Sequence, residues 1–189
     1  MKNIAIFISG AGSNAARMLR EYRGHSRITV SLVISTKNNK KMAELCATNG
    51  VQYIYTGWSE IERKEVYSIL QKENVDWIIL AGFLKLIPIE YVSGYEHRII
   101  NLHPALLPKF GGKGMYGMHV HKAVIASGEK NSGITIHYVN SQYDEGQIIE
   151  QFSVDIDPSD DENSLFEKIR KLEAAHFTQS VEQEILKND

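Results

Sequence analysis

Short apolar runs recur through the first hundred positions, each followed by a stretch with helical spacing. Lys2–Ser9 reads KNIAIFIS, Ile28–Ile34 reads ITVSLVI and Val51–Tyr55 is a third, shorter run. Asp76–Ala81 (DWIILA) and Arg98–Leu102 (RIINL) follow. Runs of this kind suit strands covered on both faces, as in a parallel sheet. Between them, Ala15, Met18, Leu19 and Tyr22 recur at helical spacing on a helix expected from Asn14 to Arg23. Met42, Leu45 and Cys46 share one face of a second helix, and Val66, Ile69 and Leu70 one face of a third, expected over Glu62–Glu73. The alternation predicts an α/β fold, a Rossmann-like, mostly parallel twisted sheet with helices on both faces. Ligands of such sheets sit at the carboxyl ends of strands. Gly10–Asn14, Gly82–Ile87 and Asn101–Pro108 occupy those ends.

The second half has a different pattern. Gly133–Val139 alternates apolar and polar residues, and Gln147–Val154 is a further strand. The segment NSQYDEG joins them, which predicts an antiparallel hairpin. Ser159 and Glu162 have capping-box spacing and open a long C-terminal helix with Leu165, Ile169 and Leu172 inward. Phe110–Gly117 (FGGKGMYG) has glycine at four of eight positions and reads as a mobile loop. Residues 1–189 are expected to form a single domain, with a phosphate- or nucleotide-binding half over about 1–100 and a catalytic half over about 101–189.

Composition narrows the class. A net charge of −2 gives no bulk attraction for nucleic acid or anionic membrane. No apolar run reaches the roughly 18 residues of a membrane span. The N-terminus has no signal-peptide pattern, and Cys46, the sole cysteine, is expected in the core, so the cytoplasm is the expected compartment.

Gly10-Ala-Gly12-Ser-Asn-Ala15 joins a strand to a helix. Glycine allows close backbone approach, and a helix N-terminus offers free N–H groups and partial positive charge, which suits phosphate. The loose G-x-G-x-x-A spacing also fits a dinucleotide turn. Such a site wants an acidic residue at the end of the second strand, where this chain has Ser35-Thr36-Lys37-Asn38. Ser13 and Asn14 add side-chain donors that suit a single phosphate. A purely structural turn is the plain alternative.

Asn101 and His103 stand two apart on an extended segment, so both side chains face one side. Pro104 holds His103 extended, and Pro108 stiffens the exit. An amide beside a protonated imidazole can stabilise an oxyanion. Such a histidine needs a carboxylate to stay charged at neutral pH, and the hairpin loop supplies Asp144 and Glu145. The alternative for His103 is a core histidine bonded to backbone. His119 and His121 diverge on a helix and are not expected to share a metal. His137 is given at most a supporting role; His25, His97 and His176 carry no signal.

Five segments together carry a resemblance: ISGAGSN (Ile8–Asn14), LAGFLKLI (Leu80–Ile87), NLHPALLPKF (Asn101–Phe110), HYVNSQYDEG (His137–Gly146) and KLEAAHF (Lys171–Phe177). Their order and span resemble the glycinamide ribonucleotide formyltransferases, folate-dependent enzymes of purine synthesis. NLHPALLP by itself is similar to the wider group of formyl-tetrahydrofolate enzymes, deformylases included. The resemblance implies that Asn101, His103 and Asp144 are catalytic. It implies a ribonucleotide site at Gly12, Ser13, Asn14 and Glu173, with Arg170 in the same segment. It implies a folate site at Leu84, Lys85, Leu86 and Ile87 and at Asn140, Ser141, Gln142 and Tyr143, with Lys64 where the family often has arginine. It further implies 10-formyltetrahydrofolate as formyl donor, no metal, small-molecule substrates only, and a monomer or homodimer. The strap Phe110–Gly117 is longer than the family's usual link. A deformylase, a nucleotide-dependent oxidoreductase and a non-catalytic nucleotide-binding module are the competing readings.

Overall fold

The computed structural model describes residues 1–187. Its elements run β1 (Lys2–Ile8), α1 (Ser13–Glu21), β2 (Ile28–Ser35), α2 (Lys40–Thr48), β3 (Gln52–Tyr55), α3 (Glu60–Lys72), β4 (Trp77–Leu80), α4 (Ile89–Gly94) and β5 (Ile99–His103). Then come α5 (Met118–Ala126), β6 (Asn131–Tyr138), β7 (Ile148–Asp155) and α6 (Glu162–Lys187). The strands form one sheet in the order β3-β2-β1-β4-β5-β6-β7. All pairs from β3 to β5 are parallel, while β5–β6 and β6–β7 are antiparallel. This is the expected Rossmann-like sheet with a C-terminal hairpin and a long final helix.

Both faces are covered because β1 is apolar on both sides. Ile4, Ile6 and Ile8 belong to one core with Met18 and Leu19 of α1 and Leu165 and Ile169 of α6. Ala5 and Phe7 belong to the other, with Val66 and Leu70 of α3 and Tyr91 of α4. Each such fully buried aliphatic side chain contributes roughly 1.5–3 kcal/mol. Phe7, Trp58, Phe83 and Tyr91 meet edge-on around the second core, with centroids from 4.9 to 6.4 Å apart. On the first face, Tyr22 donates its hydroxyl to the Thr178 carbonyl at 2.8 Å, joining the end of α1 to α6.

Three local features differ from the sequence expectation. Helix α4 has no counterpart in the sequence pattern; it is six residues long and starts behind Pro88, too short to display an apolar period. Asp161, not Ser159, caps α6: its Oδ1 accepts from the N–H groups of Asn163 and Ser164, and Ser164 Oγ accepts from Asp161 N–H. Strand β5 extends to His103, whose Cα pairs with Thr135. His103 is therefore fixed within the sheet and not on a loop beyond it.

The strand order reverses between β1 and β4. There Ser9 N–H donates to the Gly82 carbonyl at 2.9 Å. Leu84 N–H donates to Ser9 Oγ at 3.0 Å, which places Gly82–Leu84 beside the glycine turn. Crevices at such reversals are where ligands bind open α/β sheets.

Candidate active site

A cavity of about 640 Å³ opens at this reversal. Its walls are Gly10–Asn14, Ala81–Leu84, Asn101–Pro104, Gly112–Gly117, His121, Tyr143, Asp144, Phe166 and Glu173. A polar opening of about 690 Å³ at the opposite ends of the strands, around Lys2, Trp77 and Arg98, contains none of the expected site residues.

Asn101, His103 and Asp144 converge on one wall, joined by His137. Asp144 Oδ2 lies 3.4 Å from His103 Nδ1, and Asp144 Oδ1 lies 3.6 Å from His137 Nε2. Asn101 Nδ2 is 3.0 Å from His137 Nε2 and 3.4 Å from Asp144 Oδ1. The tautomers follow from the remaining ring atoms. His137 Nδ1 faces the Tyr138 carbonyl at 2.8 Å and donates to it, which leaves Nε2 facing Asn101 Nδ2 and Asp144 Oδ1. His103 Nε2 donates to the Phe110 carbonyl at 2.8 Å, which leaves Nδ1 turned toward Asp144.

Burial pulls the His103 pKa below the usual histidine value of 6.5. The Asp144 carboxylate and the Phe110 carbonyl act in the opposite direction without overcoming it, and His137 adds to the lowering. Burial of His103 thus works against the charged ring that the sequence reading expects. Asp144 is an anion. Burial opposes its ionisation, but the His137 hydrogen bond, the His103 ring and the Gly112 N–H together hold its carboxyl below the usual range.

Backbone geometry aims this carboxylate. Asp144 has φ +58°, a left-handed conformation uncommon for a side chain other than glycine. Gly112 N–H donates to its Oδ2 at 2.9 Å. Two residues on, a Cβ at Gly146 would collide with the Tyr138 carbonyl. The strap Phe110–Gly117 thus supplies a carbonyl to His103 and an N–H to Asp144, and Phe110 and Met115 pack against the larger core.

The glycine turn forms the opposite wall. Gly12 has φ +73° and begins α1 with no side-chain cap; a Cβ there would meet Met42 and Ile8. Asn39 Nδ2 donates to the Gly10 and Ala11 carbonyls, both at 3.2 Å, and fixes the turn from α2. Ser13 is exposed at the cavity. Asn14 Nδ2 donates to Glu173 Oε2 at 2.9 Å. Burial raises the Glu173 pKa, with Asn14 and Arg170 opposing.

The remaining expected residues divide. Leu84 lines the main cavity. Lys85, Leu86, Ile87, Asn140, Gln142 and Tyr143 line a smaller cleft that shares Asn101, His137 and Asp144 with the polar wall described above. Leu84 and Leu86 are 44% and 43% exposed, a pair of leucines left open beside polar groups. Ser141 lines neither space. Arg170 lies outside the walls, paired with Glu167 at 3.1 Å and set over the Phe166 ring. Lys64 is exposed on α3, and its ammonium is paired with Glu60 at 2.7 Å. His119 is exposed on α5, whereas His121 is buried, and no metal-holding group of His, Cys, Asp or Glu occurs among the described residues.

His137 stands where a supporting residue would, against Asn101 and Asp144, while the strap's backbone groups have no signal in the sequence. The register would have found the former: Asn101 pairs with His137 across β5 and β6. An antiparallel partner's side chain stands on the same face.

The model of the family described as formyl transferase matches residues 2–181. The chain belongs to the formyl transferase family. A chloroplastic phosphoribosylglycinamide formyltransferase of Arabidopsis thaliana is 40% identical over 176 residues, which cover 89% of this chain and 60% of that protein. This formyl transferase chain therefore spans less than two thirds of that plant relative. The crystal structure of phosphoribosylglycinamide formyltransferase from Bacillus halodurans superposes with TM-score 0.88 at 30% identity, covering all of this chain and 97% of the other. A formyltetrahydrofolate deformylase from Pseudomonas syringae has TM-score 0.84 at 23% identity, covering 95% of this chain and 60% of the other; that likeness shows a shared fold. No helix among the described residues is long and apolar enough to cross a membrane.

Proposed function

We propose that this formyl transferase moves a formyl group from N10 of 10-formyltetrahydrofolate to the amine of glycinamide ribonucleotide, a step of de novo purine synthesis. One observation carries the reading. Asn101 and Asp144 line both the Gly10–Asn14 cavity and the cleft at Lys85, Leu86, Ile87, Asn140, Gln142 and Tyr143, and His103 lines the cavity beside them. Two substrates held on either side would meet at these groups.

In this proposal Gly12, Ser13 and Asn14 bind the ribonucleotide phosphate through N–H groups at the start of α1, and Glu173 binds the ribose. Residues 84–87 and 140–143 hold the pterin. The neutral amine attacks the formyl carbon, and the carbonyl electron pair moves to oxygen. Asn101 donates to that oxyanion, giving up its longer, 3.4 Å contact with Asp144. His103 Nδ1 takes the proton from the newly bonded nitrogen, with Asp144 stabilising the imidazolium, and returns it to N10. The C–N10 bond then breaks, leaving formylated ribonucleotide and tetrahydrofolate. Holding both substrates in place supplies much of the acceleration. The step as written uses no metal. The chain acts as one domain, with its phosphate half over about 1–100 and its folate and catalytic half over about 101–189, in the cytoplasm, as a monomer or homodimer.

The test is to mix the purified protein with 10-formyltetrahydrofolate and follow folate absorbance with and without glycinamide ribonucleotide. Release that requires the ribonucleotide supports the transferase. Release without it makes the protein a deformylase, and no release in either case ends both readings.

A further inference from the structure

The main cavity is poor in positive charge. Its walls carry two carboxylates, Asp144 and Glu173, and one lysine, Lys113, from the strap. The two histidines on the walls, His103 and His121, both have pKa values lowered chiefly by burial, which works against a charge on either ring. Arg170, the cation expected here from sequence, is outside the walls and engaged with Glu167 and the Phe166 ring. A phosphate placed at Ser13 would therefore meet N–H dipoles and two carboxyl groups, but no fixed cation on the walls.

Lys113 is equipped to fill that gap. It is exposed, and no hydrogen bond or ion pair engages it among the described residues. Its neighbours Gly112 and Gly114 have φ +91° and +92°, with open space where a Cβ would stand. Its base is anchored, because Gly112 N–H is bonded to Asp144. A compact ammonium on a flexible four-carbon stem suits a phosphate as a point charge.

We propose that Lys113 is the counter-cation of the acceptor's 5′-phosphate, reaching it across the cavity mouth from the strap. This rests on the ribonucleotide reading above and adds a recognition residue to it. The strap would then discriminate acceptors by charge at the end remote from the reacting amine.

The test compares wild type, Lys113→Met and Lys113→Arg with two acceptors, glycinamide ribonucleotide and its dephosphorylated riboside, by calorimetric binding and by steady-state kinetics. A charge-assisted contact predicts that Lys113→Met weakens ribonucleotide binding by about tenfold or more, mainly in acceptor KM. The expected penalty is confined to the phosphorylated acceptor, Lys113→Arg recovers most of it, and the salt dependence of binding flattens in Lys113→Met. If Lys113→Met keeps the wild-type preference for the phosphorylated acceptor, Lys113 is overturned and the phosphate turn stands. If wild type binds both acceptors equally, or neither, the phosphate site and Lys113 fall together.

Discussion

Asn14 on the first helix and Glu173 on the last are bonded side chain to side chain at 2.9 Å, across 159 positions of sequence. The bond closes the cavity between α1 and α6 and leaves a carboxylate in a place that disfavours its charge. Burial raises the Glu173 pKa above 4.5, so between 4.5 and that raised value the folded state binds more protons than the unfolded one. Glu173 therefore costs stability as pH rises through this window, and the cost is complete above it. Glu173→Gln keeps an acceptor for Asn14 and removes the titration. Urea midpoints of variant and wild type should move apart in favour of Gln as pH rises from 4.5, while acceptor KM increases. A constant difference across pH would reject the assignment.

The His103–Asp144 pair gives a prediction in proton affinity. Burial keeps the wild-type His103 midpoint below 6.5, with Asp144 acting against it. NMR titration should place it there, and Asp144→Asn should lower it further. Proton acceptance by Nδ1 predicts that kcat/KM falls as pH drops through the same midpoint. His103→Ala and Asp144→Asn should each reduce turnover at least about 100-fold with the fold intact by circular dichroism. A midpoint above 6.5 would mean that the carboxylate outweighs burial.

Gly146 is predicted to tolerate no side chain. Its missing Cβ leaves room for the Tyr138 carbonyl, which belongs to the backbone and cannot rotate away. Gly146→Ala should cost more than about 1 kcal/mol in urea unfolding, as overpacking does. Activity should fall further than stability alone requires, because the same turn aims Asp144. Wild-type turnover in a folded Gly146→Ala protein would separate the turn from the catalytic carboxylate.

His121 is 1% exposed, and its Nδ1 has no partner among the described residues. Leaving such an atom unmet costs about 1–3 kcal/mol. His121→Phe, whose ring can keep the edge contact with Phe166, should raise stability by about 1 kcal/mol. Burial also lowers the His121 pKa, so below 6.5 the unfolded state binds the extra proton and wild type weakens. The advantage of Phe should grow as pH falls from 6.5 in chemical denaturation. A variant less stable than wild type at every pH would show that the ring is held by an interaction of its own.

Much of this architecture was legible because β1, β2 and β4 are apolar on consecutive residues and the helices between them carry clear periods. The glycine turn, Asn101, His103 and Asp144 were legible as residue types at strand ends and in a hairpin loop. What escaped was set by distant parts of the chain. The role of His137 depends on its register opposite Asn101, which two separate strands determine together. The lowering of the His103 pKa depends on how deeply the sheet and strap bury it, and no local spacing encodes that depth. The four glycines of the strap suggested looseness, yet Phe110 and Met115 pack against the core and its backbone bonds both His103 and Asp144.

That last arrangement ties two chemistries to one stretch of chain. The carbonyl of Phe110 chooses which nitrogen of His103 can exchange a proton, and three residues later Lys113 stands at the cavity mouth. Inserting or deleting a residue between them would rotate the imidazole's working face and relocate the cation in a single event. A change of length in this strap would thus act on the proposed acid–base pair and on the proposed counter-cation together.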